Sequence, residues 1–231
     1  MKTYLVFGAA GFIGREIVRQ LLAAGHEVIA LVRERHDQVA KTLFRLGAIV
    51  EVINDVADRS AMIDYAVRIH KTPKFDGVIY AVGHCPPDGF LQEIGSPLSR
   101  LSLERYMRLI EMHQIGVLNV FQNMNAHLTD GGCFVFITSA ITRLKGQFPP
   151  FLHAHHYASA ISAEDWLVDG MRHDPAVIAR KIKIHRVAPA AVDTPFHHGG
   201  PKPPNLIPVS TVVEEVIRAL ESDEVVDTQI V

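Results

Sequence analysis

The segment TYLVFGAAGFIGREIVRQLLAAGHEVIALV, residues 3–32, narrows the possible folds more than any other part of the chain. Residues 3–7 form a short apolar run rich in aromatic and β-branched side chains that ends in Gly8, and 12–24 carry apolar groups at helical spacing. Gly25 supplies a helix stop, and EVIALV, 27–32, reads as a second buried strand. One strand–helix–strand unit is therefore complete within about 30 residues, the length such a unit needs.

The alternation continues. The pattern predicts a helix near 36–46, a strand over 48–53, a helix over 58–70 and a strand over 77–82. A long amphipathic helix over 102–128 places Leu103, Met107, Ile110, Gln114, Val117, Phe121 and Met124 on one face. A strand over 133–138, a helix over 157–172, a strand over 183–188, a helix over 212–220 and a last strand near 225–230 complete the chain. Strands that are continuous apolar runs, each followed by a helix, imply a parallel sheet covered on both faces. The expected fold is α/β, a doubly wound parallel sheet in one domain spanning 1–231, with ligands held beyond the carboxyl ends of the strands. The segment 194–208 has five prolines and two glycines and reads as an irregular excursion at that edge, a substrate lid by position.

Composition excludes several classes of function. With 48% hydrophobic and 21% charged residues, a sizeable core can form. A formal charge of −2 offers no global field for nucleic acid or an anionic membrane, so neither partner is expected. Two cysteines, Cys85 and Cys133, make no disulfide framework and fit a reducing compartment. The apolar N-terminal run is too short for a signal peptide or a membrane span, and a cytoplasmic location is the expectation.

Gly8, Gly11 and Gly14 fall at the first strand-to-helix turn, with Ala10, Phe12 and Ile13 between and beside them. Glycines there permit a tight turn and let backbone N–H groups approach a pyrophosphate, while the helix N-terminus adds partial positive charge. At the end of the second strand, where an adenosine ribose would lie, the first residue past the apolar run is Arg33, with Glu34 and Arg35 following. A guanidinium at that place accepts a 2′-phosphate, which favours NADP, with NAD possible because Glu34 suits a 2′-hydroxyl.

Taken in order, these motifs resemble the short-chain dehydrogenase/reductase family over nearly the whole chain, with the glycine spacing of its extended and atypical branches. INDVAD, 53–58, looks like the family's adenine-contacting pair, here Asp55 and Val56. YAVG, 80–83, is similar to the turn after strand four, which assigns Ala81, Val82 and Gly83 to the cofactor. VAPAAVDTP, 187–195, looks like the family's segment at the nicotinamide end, with Ala190 in place of a glycine, and implies contacts from Pro189, Val192 and Thr194. The resemblance also implies a small-molecule substrate, a Rossmann fold, and a homodimer or homotetramer.

The family's chemistry rests on four groups, and the resemblance locates each. Tyr157 stands where a tyrosine exchanges the proton with substrate, and Ser139 where a serine orients the substrate oxygen. The lysine four residues after the tyrosine, whose charge lowers the phenol pKa, is here Ile161, and the asparagine of the long helix is His113 in HQIG. Between Ser139 and Tyr157 lie 17 residues, an enlarged loop. Lys145 and Arg143 are conceivable substitute cations, and His84, His153, His155 and His156 fall near the same strand ends. Histidine suits proton transfer, but these spacings lack a helical metal-binding pair, so no metal is expected and structural or solvent-facing roles are the simpler reading. Trp166 is expected in the core or at a subunit contact. Three functional readings stay open: an oxidoreductase on a small carbonyl or alcohol, a catalytically reduced NAD(P)-binding sensor or scaffold, and a non-redox enzyme using histidine.

Overall fold

A computed structural model describes residues 1–34, 37–83, 97–143, 154–195 and 205–231. Seven strands form one all-parallel sheet: β1 (Thr3–Phe7), β2 (Glu27–Val32), β3 (Ile49–Val52), β4 (Phe75–Tyr80), β5 (Leu128–Ile137), β6 (Lys183–Pro189) and β7 (Asp227–Ile230). Their order across the sheet is β3-β2-β1-β4-β5-β6-β7, so the winding direction reverses between β1 and β4. The helices are α1 (Phe12–Ala23), α2 (Asp37–Arg45), α3 (Arg59–Arg68), α4 (Leu103–Ile110), α5 (Val117–Met124), α6 (His155–Met171), α7 (Pro175–Ala179) and α8 (Val209–Glu221). This is the doubly wound α/β architecture that the alternation predicts.

Alternate side chains of each strand enter opposite cores, as the period of two requires. Tyr4 and Val6 of β1, with Cys133, Val135 and Ile137 of β5, pack against Ile17, Val18 and Leu21 of α1 and Val212, Val213 and Val216 of α8. Leu5 and Phe7, with Phe134 and Phe136, pack on the other side against Met62 and Tyr65 of α3, Val120 and Met124 of α5, and Val168 and Met171 of α6. Burying each such side chain contributes about 1.5–3 kcal/mol. Helix starts follow local chemistry: the Asp58 carboxylate accepts from the Ser60 and Ala61 N–H groups to cap α3, and Asp174 caps α7, where Pro175 takes the first helical position.

Several expectations need correction. The helix expected over 102–128 is interrupted: α4 leads into a widened π turn (Glu111–Gly116), α5 follows, and a short 3-10 turn (Asn125–His127) ends it. Strand β5 begins at Leu128 rather than 133, because Arg180 reaches across to bond the carbonyls of Asn125 and Leu128 and the carboxylate of Asp130. Strand β4 is Phe75–Tyr80 rather than 77–82, and α6 starts at His155 rather than at 157. The helix α7 was not expected, although its Asp-Pro start is a readable signal. Trp166 is 78% exposed and so does not enter the core of this chain.

Candidate active site

The winding reversal puts the turn after β1 against the turn after β4. Gly8 adopts φ +78°, and a Cβ on it would sit 2.4 Å from the Ala81 carbonyl oxygen. A Cβ on Gly14 would lie 2.2 Å from the Gly8 carbonyl oxygen, so helix α1 can approach β1 only through a glycine. Gly11 is the N-cap of α1 and offers no side chain to the N–H groups of its first turn. Gly11 and Phe12 are exposed, and Ala10 and Ile13 partly so. Uncapped, accessible N–H groups at a helix N-terminus make a cradle that fits the pyrophosphate of a dinucleotide. Arg15 stacks over the Phe12 ring at 3.9 Å, at the mouth of this cradle.

The adenosine end is defined by strands β2 and β3. Arg33, Glu34, Asn54 and Arg108 line one cleft there, with the Glu34 N–H donating to the Asn54 side-chain oxygen at 3.0 Å. Arg108 comes from α4 and donates to Asp55 Oδ2 at 2.7 Å and to Glu111 at 2.8 Å. Asp55 Oδ1 accepts from the Ala57 N–H, so both carboxylate oxygens are engaged within the protein and an adenine contact there competes with Arg108. Val56 is buried, where a Cβ on Gly116 would come within 2.7 Å of its side chain and 2.8 Å of the Tyr80 hydroxyl. Ala81 and Val82 are half-buried and Gly83 is exposed, all three on the glycine-turn side of the sheet edge.

Ser139 follows β5. Its Oγ accepts from the Ile141 N–H at 3.3 Å and donates to the Pro189 carbonyl at 3.5 Å, tying the ends of β5 and β6 together. Tyr157, in the first turn of α6, hydrogen-bonds Ser139. Burial pushes the Tyr157 phenol well above its ordinary range, the Glu164 carboxylate pushes it further, and the Ser139 bond works in the opposite direction. Val192 is buried in the core and pairs with Ile207; Thr194 Oγ1 donates to the Val192 carbonyl.

One turn beyond Tyr157, Ile161 is fully buried, and one further turn on, Glu164 is also fully buried. His113 sits in the π turn, 4% exposed, with Nδ1 2.7 Å from Glu164 Oε2 and its ring perpendicular to that of Tyr157, the centroids 5.8 Å apart. The widened turn leaves the Met112 carbonyl to accept the Tyr80 hydroxyl at 2.6 Å. Burial raises the Glu164 carboxyl above the ordinary carboxylate range, His113 pulls it back, and Asp165 adds to the rise.

Ser139, Tyr157 and His113 are thus brought together. Arg143, considered as a substitute cation, is half-exposed and drawn instead to Asp227 at 3.8 Å. His155 is exposed and His156 buried, while Arg35, His84, Cys85, Lys145, His153 and most of the expected lid lie outside the described residues. Sequence reasoning missed Glu164 and Arg108. The signal for Glu164 was its spacing: with Tyr157 and Ile161 it falls on one helix face, where a lone carboxylate among buried residues needs a partner.

A model of the family described as short chain dehydrogenase matches residues 2–202. An acetoacetyl-CoA reductase from Acinetobacter sp. is 26% identical over 227 residues, 96% of this chain and 82% of the relative. A local match, 72% identical over 32 residues, spans 14% of this chain and only 11% of an uncharacterized protein of Schizosaccharomyces pombe. Among solved structures, the chain resembles an alcohol dehydrogenase from the archaeon Thermococcus sibiricus complexed with 5-hydroxy-NADP, with TM-score 0.78, 22% identity and coverage of 100% and 96% of the two chains. It also resembles a blue fluorescent protein from a metagenomic library in complex with NADPH, with TM-score 0.81, 21% identity and coverage of 99% and 96%. The structural likenesses agree with the strand order, and the family match extends over most of the sheet and through both hydroxyl positions. This chain belongs to the short-chain dehydrogenase/reductase family.

Proposed function

We propose that this protein is an oxidoreductase that uses NADP(H) in preference to NAD(H) and acts on a small carbonyl or alcohol. The observation that carries the reading is the hydrogen-bonded pair of hydroxyls, Ser139 and Tyr157, at the carboxyl edge of the sheet that also carries the open glycine turn. The preference for NADP rests on the two guanidinium groups, Arg33 and Arg108, in the cleft beyond β2, and is supported by the NADP(H) complexes among the structural neighbours. When bound, the nicotinamide supplies or accepts the hydride. Tyr157, kept as a phenol by its burial, gives its proton to the substrate oxygen in the reductive direction, and Ser139 orients that oxygen. Quenching and transfer of nicotinamide fluorescence on titration with NADPH and NADH measures the first half of the proposal. A panel of small aldehydes and ketones with wild type, Tyr157→Phe and Ser139→Ala measures the second. Tight NADPH binding and turnover lost in both variants is the expected result; no binding of either nucleotide at millimolar concentration refutes it.

A second reading is a cofactor-binding sensor or scaffold with little turnover. The observation in its favour is Ile161, whose buried side chain supplies neither the charge that would lower the tyrosine pKa nor a hydrogen bond to a ribose. Turnover that appears only in Ile161→Lys selects this reading over the first.

A further inference from the structure

The His113–Glu164 pair has a cost that packing alone does not explain. Both side chains are buried, at 4% and 0% exposure, and join through a single 2.7 Å contact. His113 Nε2 and Glu164 Oε1 have no hydrogen-bond partner among the described residues. Buried polar atoms are nearly always paired, and a half-satisfied buried ion pair is less stable than apolar side chains of similar volume in its place. The surroundings are largely apolar or already committed: Ile161 is one turn away, and the Tyr80 hydroxyl is spent on the Met112 carbonyl. The charged groups that bear on the pair or its neighbours are Asp165, beside Glu164 on α6, and Asp55 and Arg108, which are bonded to each other and act on Tyr80. The Tyr157 ring lies beside that of His113, nearly perpendicular to it, with centroids 5.8 Å apart.

We propose that His113 and Glu164 form a proton-relay pair for Tyr157, in which Glu164 fixes the imidazole through Nδ1 and Nε2 is the port through which the phenol is reprotonated. The proposal rests on the reductase reading above. In the reductive direction the carbonyl carbon gains the hydride, and the carbonyl oxygen takes the Tyr157 proton, leaving a phenolate. Nε2–H of the imidazolium returns a proton to that phenolate, directly or across one water, and solvent then reloads the imidazole. One hydride and one solvent proton enter for each alcohol formed. A base held by a buried carboxylate through its other nitrogen keeps the tautomer and orientation that this transfer needs. The arrangement meets the problem posed by Ile161 by a different route: the phenol is not drawn toward ionisation by a fixed cation but is resupplied after it has acted. His113 is thus a catalytic residue and Glu164 a positioning residue.

The test uses the full chain with NADPH and whichever carbonyl the panel identifies. His113→Ala opens a cavity of imidazole size, and Glu164→Gln keeps volume and a hydrogen bond while removing the charge. Both variants are expected to bind NADPH as wild type does and to lose roughly 10²-fold in kcat, the lower end of what a positioned acid or base supplies. Added imidazole is expected to restore kcat of His113→Ala saturably and to leave Glu164→Gln unchanged. A readout independent of turnover is the pH titration of tyrosine labelled at Cζ, with the Tyr157 signal identified by its absence in Tyr157→Phe. It is expected to move to lower pH in Glu164→Gln. A His113→Ala protein that binds NADPH but is not rescued overturns the relay, as does a Glu164→Gln protein with unchanged kcat and an unmoved Tyr157 signal. If wild type binds NADPH yet reduces nothing, the reductase reading falls and the relay with it; an unmoved titration in an active enzyme overturns the relay alone.

Discussion

Replacing Ile161 by lysine introduces an ammonium at a position with no solvent exposure, one turn from Tyr157 and one turn from Glu164. Three contributions set the outcome. The lysine stem retains most of the apolar contact that a buried isoleucine makes, so of the 1.5–3 kcal/mol of that burial only about 1 kcal/mol is lost. Desolvating the ammonium costs several kcal/mol. Against this, residues three apart on a helix lie about 5–6 Å apart at Cβ, so the Glu164 carboxylate can approach the new charge. A pair at about 4 Å and an effective dielectric near 20 gains about 4 kcal/mol. The variant is therefore expected to lose about 2–3 kcal/mol, and the same substitution made together with Glu164→Gln about 5–6 kcal/mol, a favourable coupling of about 2–4 kcal/mol. Urea unfolding at neutral pH of wild type, both single variants and the double variant closes the cycle, with the midpoints compared at constant slope. Additivity within about 0.5 kcal/mol refutes the reasoning, because it means that Glu164 does not share the pocket that position 161 faces. The signs also bear on function: a lysine neutralised by Glu164 is a weaker aid to Tyr157 than one left without a counter-charge.

His185 is fully buried, its Nδ1 accepts from the Val226 N–H at 2.9 Å, and burial first, with Lys183 next, lowers its pKa to about 4. The folded state therefore refuses a proton that the unfolded chain takes, and stability present above pH 6.5 is lost as the pH falls from there toward 4, by up to about 3 kcal/mol; acid unfolding of His185→Gln should lack this phase. Asp227 accepts two bonds from the buried Arg186, at 3.0 and 2.6 Å, while Asp165 and Asp169 stand 3.5 Å from the same guanidinium, so Asp227→Ala removes two charge-assisted hydrogen bonds without stranding the charge and is expected to cost about 1.5–3 kcal/mol in urea unfolding. Gly14→Ala puts a methyl 2.2 Å from a backbone oxygen, which α1 can relieve only by moving away from β1, and NADPH affinity should fall at least about tenfold while NADH affinity falls with it. Arg33→Ala, by contrast, should weaken NADPH about tenfold and leave NADH nearly unchanged, a split that fluorescence titration reads directly.

The reach of the sequence differs between elements for identifiable reasons. The β1–α1–β2 unit was legible to within a residue because periodicity and glycine placement are local properties, and Gly8 and Gly14 proved sterically necessary. Ser139 and Tyr157 were singled out by resemblance to the family's motifs, and the structure places one just after β5 and the other in the first turn of α6. The start of β5 was not legible, because it depends on Arg180, which is 52 residues from Leu128. Of the two places expected for Trp166, the core is ruled out: a large aromatic side chain argues for burial by type alone, whereas its helix face here points outward.

What the sequence by itself determined is the class of fold, the succession of strands and helices, the glycine turn, and the two hydroxyls with an isoleucine where a cation would stand. The fold class and the glycine turn follow from rules that act within one or two turns of chain, and the hydroxyls and the isoleucine from resemblance to the family's motifs. Only the tertiary structure decided what shares the pocket with them: that His113 meets Glu164 across 51 residues of sequence, that Arg108 closes on Asp55 across 53, and that Arg186 is buried against Asp227. Charges pair according to which helix faces the packed sheet brings together and how little water remains between them, and neither quantity is a property of any short stretch of the chain.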